Sequence, residues 1–141
     1  MDKKEEPVAV FEGGCLCGDV RWRASGPARN LCCCHCRSCR LASGAPYVAW
    51  GTFDSPNFAV VSGELREHQS SLRAVRGFCA RCGTAITYRS SVREGELDVS
   101  LATLDDPNAL APGFHLWTSH KLRWVVLADG LPQYEEWGTP S

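Results

Sequence analysis

No stretch of this chain approaches the ~20 consecutive apolar residues that a membrane-spanning helix needs. Its first ten residues, MDKKEEPVAV, are charged and contain no apolar core of a secretory signal. The expectation is a cytoplasmic protein with no membrane partner. Net charge is also nearly absent, with 15 basic against 16 acidic residues and a formal value of -1. No basic run exceeds the Lys3-Lys4 pair, which argues against a nucleic-acid partner. The chain has no heptads, no internal repeat, no GxGxxG and no phosphate-loop pattern. These absences exclude coiled coils, solenoids and the common nucleotide-binding frames.

Long helical periodicity is missing as well; alternation takes its place. In DVRWRA, Val20, Trp22 and Ala24 fall on one side and Asp19, Arg21 and Arg23 on the other, as in a half-buried strand. Ser25-Gly26-Pro27 ends it. Asn30 to Cys36 reads as a strand edge entering a turn, and Arg37 to Ala42 as about one helical turn stopped by Gly44 and Pro46. Further strands are expected at Tyr47 to Phe53, Phe58 to Ser62, Leu65 to Gln69, Leu72 to Phe78, Thr84 to Ser90 and Leu97 to Leu101. Asp106-Pro107 carries the signature of a short helix start. Phe114 to Trp117 and Trp124 to Ala128 read as the last strands, with Tyr134 and Trp137 packing back. The pattern predicts an all-β fold with very little helix. The length of 141 residues suits one domain over residues 8–141 after a flexible tail at residues 1–7.

What the chain has in excess is cysteine, nine in all. In a reducing compartment these are unsuited to disulfides, and an odd count cannot pair fully. Spacing points to metal instead. Cys15 and Cys17 form C-x-C, whose side chains share one strand face. Cys79 and Cys82 form C-x-x-C before Gly83, a turn that folds two sulfurs onto one ion. The two halves predict a closed structural zinc site that ties distant strands together.

The segment LCCCHCRSC holds the second cluster. Cys34, Cys36 and Cys39 combine C-x-C with C-x-x-C, and no second half-site remains for them. Three clustered thiolates predict a zinc with an open fourth position, the mark of a catalytic site. Iron–sulfur chemistry is the rival metal. Cys32 shares a strand face with Cys34 and Cys36, whereas Cys33 and His35 point away. With no glycine or proline to bend the chain before Cys34, Cys32 is expected to stay unligated. Water, a small thiol or an anion would then complete the site. His35 is a catalytic candidate, open between a proton shuttle, a residue that orients a ligand and an exposed neighbour of the metal. His115, among Phe114, Leu116 and Trp117, reads as packed or pocket-lining. Arg37, Arg40 and Arg81 flank the clusters and can offset thiolate charge.

GGCLCGDVRW, CHCRSCRLASGAP, FCARCGT, LATLDDP and a closing H-x-W, in order from about Phe11 to Pro132, together resemble the glutathione-dependent formaldehyde-activating enzyme family. That family also contains the centromere protein V type of domain. The resemblance implies an Mss4-like β-tent of short antiparallel strands pinned by zinc. It implies two zinc ions per chain: a structural one on Cys15, Cys17, Cys79 and Cys82, and a catalytic one on Cys34, Cys36 and Cys39. It further implies a carbon–sulfur lyase of the S-(hydroxymethyl)glutathione synthase type, with glutathione as the small thiol and formaldehyde as the small aldehyde. The alternative is a non-catalytic, zinc-stabilised structural or protein-interaction module.

Overall fold

The structure, a computed structural model, describes residues 8–137, so the expected tail at residues 1–7 lies outside the described residues. Among the described residues, ten strands form two sheets. The smaller sheet has the order β1-β2-β5, from Val10–Gly14, Arg21–Ser25 and Phe58–Ser62. The larger contains β3 (Arg29–Cys34), β4 (Val48–Asp54), β6 (Leu65–Gln69), β7 (Ala74–Cys79), β8 (Ala85–Ser90), β9 (Glu96–Ser100) and β10 (Phe114–Leu116). Its order is β10-β3-β4-β9-β8-β7-β6. Among the described residues a single α-helix, α1 (Arg37–Ser43), interrupts the strands, and the fold is mostly β with very little helix.

The alternation in β2 is realised fully. Val20, Trp22 and Ala24 are all buried, and they join Phe53, Ile86, Val99 and Leu101 in the main core. Burying side chains of the size of Trp22 and Phe53 stabilises the fold by about 1.5–3 kcal/mol each. The indole N–H of Trp22 is not left orphaned; it donates to Thr103 Oγ1 at 3.2 Å. Helix α1 ends where glycine permits it: Gly44 adopts φ 66° and its N–H bonds Arg40 O at 2.8 Å.

Four expectations need correction. The strands are not all antiparallel, because β10 runs parallel to β3, pairing Phe114 with Cys32 and Leu116 with Cys34. A parallel neighbour needs a long crossover, and the whole segment from α1 to residue 113 supplies it. No helix starts at Asp106-Pro107. The Asp106 carboxylate accepts from Asn108 N at 3.1 Å, closing a local turn that ends before a helix can nucleate. Trp124 to Ala128 is not a strand, since the place beside β10 goes to the later tail through the His115–Gln133 bridge. Finally, Gly13 and Gly14 close a strand, β1, where the sequence of Gly13 to Gly18 reads as a tight loop or hairpin presenting Cys15 and Cys17. Tyr134 and Trp137 do pack back, edge-on to Phe114 at 5.8 Å and to Trp117 at 5.5 Å.

Candidate functional site

The first cysteine group joins the two sheets. Cys15 and Cys17 follow β1 of the smaller sheet, and Cys79 closes β7 of the larger, with Cys82 in the next turn. All four sulfurs lie within 4.8 Å of one another. Cys15 Sγ is 3.5 Å from Cys17 Sγ, which is 3.8 Å from Cys79 Sγ. A tetrahedral zinc with bonds of about 2.3 Å sets sulfur–sulfur edges of about 3.8 Å. Backbone N–H groups point at the same sulfurs: Val20 N at Cys15, and Arg81 N and Cys82 N at Cys79, at 3.2 to 3.3 Å. Such donors favour thiolate over thiol. The hydrogen bond to Thr84 pulls the Cys82 thiol down to about 5. The donor set and its spacing fit a zinc ion.

The second group is built by the passage from β3 into α1. Cys34 ends β3, Cys36 is the N-cap of α1, and Cys39 lies in the first turn. Helix capping itself holds the geometry, because Cys36 Sγ accepts from Cys39 N at 3.3 Å. The three sulfurs lie within 4.8 Å of one another, and Cys32 is not in that group. Hydrogen bonds from Cys34 and then Cys39 hold the Cys36 thiol far below its ordinary range, while the same bond pushes Cys34 up. A negative charge shared among clustered sulfurs is what a soft cation satisfies. Arg76, on β7, brings both terminal nitrogens to Cys39 Sγ at 3.6 and 3.7 Å. This cation, rather than Arg37, Arg40 or Arg81, sits on the cluster.

A cavity of about 350 Å³ opens beside this group, and Cys34, Cys36 and Cys39 all line it. Cys32, Trp50, Tyr88 and Trp117 form more of its wall. Cys32 is buried, and desolvation pushes its thiol up to about 12. It is a neutral wall residue in this state.

His35 directly follows β3, and its N–H bonds Leu116 O of β10 at 3.0 Å. It is fully buried, which overturns the exposed-neighbour reading. Its Nε2 lies 2.9 Å from His115 Nδ1, and His115 Nε2 lies 2.7 Å from Asp129 Oδ2. The carboxylate must accept, so His115 carries its proton on Nε2 and accepts at Nδ1. His35 therefore donates through Nε2, leaving Nδ1 an acceptor. That Nδ1 is buried and has no partner among the described residues. Protonating it would place a charge in a dry, unpaired position, and burial followed by His115 and Lys121 lowers the His35 value from 6.5 to about 4. Asp129 acts in the opposite sense.

The sign follows directly. The folded value lies below the unfolded one, so the unfolded chain binds the proton that the fold refuses. Stability from this group is present above about 6.5 and is lost as pH falls towards about 4, by up to about 3 kcal/mol. Acid also attacks thiolate ligands, so the measurement is a comparison. At fixed zinc, His35→Asn should show a shallower fall in unfolding midpoint across this window than the parent chain. Equal slopes would contradict the assignment.

Sequence reasoning did not single out Arg76, Asp98, Asp129 or Arg93 as groups around the second cluster. A guanidinium in the otherwise apolar strand AVRGFC was the available signal for Arg76. Asp98, buried in β9, takes a hydrogen bond from Thr52 Oγ1 and one from Arg93, both at 2.7 Å or close to it. Burial raises its carboxyl value despite those bonds.

Among the described residues, no helix is long and apolar enough to cross a membrane. The chain is 32% identical over 78 residues to an uncharacterised lyase of Schizosaccharomyces pombe, a match covering 55% of this chain and 56% of the yeast protein. The chain thus spans just over half the length of that relative. It is 30% identical over 130 residues to a Halomonas elongata protein provisionally named glutathione-dependent formaldehyde-activating enzyme, with 84% of this chain and 81% of the relative covered. A crystal structure of a Rhodobacter sphaeroides protein shares the fold at a TM-score of 0.59 and 22% identity, over 72% of this chain and 98% of that one. The family model described as glutathione-dependent formaldehyde-activating enzyme matches residues 10–120. With its two cysteine groups, each able to hold a metal ion, the chain belongs to the glutathione-dependent formaldehyde-activating enzyme family.

Proposed function

We propose that this protein is a zinc-dependent carbon–sulfur lyase or synthase that joins a thiol to a small aldehyde, with glutathione and formaldehyde the pair suggested by the family name. The observation that carries this reading is the cavity. Three sulfurs converge on its wall, so a fourth ligand can arrive from the cavity as a small molecule. A closed four-cysteine site would offer no such access. In this reading Cys15, Cys17, Cys79 and Cys82 hold a structural zinc that pins the two sheets in a tent. Cys34, Cys36 and Cys39 hold the catalytic one.

Zinc at the second group would supply a Lewis acid for sulfur, keeping a substrate thiol as the reactive thiolate near neutral pH. The chain's own residues do the rest. Arg76 offsets the negative charge of the cysteine sulfurs. Trp50 and Trp117 keep the cavity wall apolar and limit water. His35 tethers the Cys34–Cys36 segment to β10 through His115. The substrate sulfur attacks the aldehyde carbon, the carbonyl π pair moves to oxygen, and that oxygen takes a proton from solvent. The product is an S-(hydroxyalkyl) thiol adduct, and the reverse path is cleavage.

The test is adduct formation, followed by NMR, with zinc-loaded protein, formaldehyde and a panel of thiols that includes glutathione. Acceleration above the uncatalysed rate is expected for at least one thiol. No acceleration with any of them would favour the second reading, a zinc-stabilised interaction module.

A further inference from the structure

Building on the proposed thiol chemistry, we infer that the cavity beside Cys34, Cys36 and Cys39 selects an alkanethiol that bears an aromatic ring and no free carboxylate, in preference to glutathione. The inference rests on how the charges at this cavity are already matched. Two cations line it, Arg76 and Arg93. Arg93 is bound by Asp98 at 2.7 Å and by Glu96 at 3.3 Å. Arg76 directs its fork at Cys39 Sγ, bonds Ser70 Oγ through Nε at 3.2 Å, and lies 4.9 Å from the Tyr88 ring centroid. Neither guanidinium is free to take a carboxylate bidentately. Asp98 also lines the cavity, where its carboxylate holds Arg93. Three thiolates around a divalent zinc carry one net negative charge, which Arg76 matches. Glutathione brings two carboxylates and one ammonium, and its carboxylates find no unpaired guanidinium on this wall.

The wall provides aromatic surface instead. Trp50 and Tyr88 meet at 6.1 Å between centroids. Phe114, Leu116 and Trp117 face the same space. Backbone strain points to a built site: the two non-glycine residues with positive φ among the described residues are Asn30 at 50° and Trp117 at 56°. Both line this cavity. A tryptophan in the left-handed region is costly, and such residues concentrate at ligand sites. The Trp117 backbone is held there by its N–H bond to Glu136 O at 2.9 Å.

The experiment is a tryptophan-fluorescence titration of the fully zinc-loaded protein. Three probes are compared: phenylmethanethiol, its carboxylate analogue 4-(mercaptomethyl)benzoate, and glutathione. Phenylmethanethiol should bind about tenfold more tightly than either of the others. Trp117→Ala should erase most of that preference. Glutathione or the benzoate binding as tightly as phenylmethanethiol would overturn the inference, as would no binding of phenylmethanethiol. The readout is separate from turnover. Preferential binding with no adduct from any thiol would sink the catalytic reading alone; efficient glutathione turnover with tighter glutathione binding would sink this inference alone.

Discussion

Replacing Cys79 by serine is expected to release one zinc and to unfold most of the chain. Cys79 is 1% exposed and belongs to the main core as well as to the sulfur group between the sheets. Its sulfur receives two backbone N–H bonds, so the turn carrying Cys82 is organised around it. Binding free energy at a structural zinc is folding free energy. Losing it removes a contribution comparable with the roughly 5–15 kcal/mol by which a whole domain is stable. Far-ultraviolet circular dichroism should therefore show loss of the β signal at room temperature. A near-native spectrum from Cys79→Ser would contradict the structural role of this group.

Cys39→Ser should do the reverse: one zinc lost, the β core kept, and adduct formation reduced by at least about 100-fold, since three ligands are needed to hold a catalytic zinc. The difference comes from location. Cys34, Cys36 and Cys39 lie within six residues of one another, so their metal closes no long loop and ties no sheet to another. They pack in a smaller cluster with Val48 and Trp50, apart from the core that holds Trp22 and Phe53. Cys36→Ser, at a half-buried position, serves as the companion variant. Global unfolding of both variants, or full activity in either, would contradict the division of roles.

The second cysteine group was legible in sequence as far as local geometry reaches. C-x-C on a strand and C-x-x-C at a helix start place their sulfurs by backbone rules alone, and so does the burial of Val20, Trp22 and Ala24. The placement of Cys32 apart from the other three followed from the same strand rise. What the sequence hid was every partner brought from afar. His115 meets His35 across 80 positions only because β10 lies parallel on β3. Arg76 reaches Cys39 because the strand order places β7 and α1 near one cavity. Neither pairing leaves a periodic signal. The Asp106 turn failed for the opposite reason, since its capping signature is shared by helix starts and by turns that go no further.

Zinc content by native mass spectrometry, measured on the parent chain and on Cys32→Ser together, tests the central claim most directly. That claim is two zinc sites, the second with three cysteine ligands and one open position. The account predicts two zinc ions in both proteins. One zinc in the parent chain, predominant iron, or loss of the second zinc from Cys32→Ser alone would contradict it.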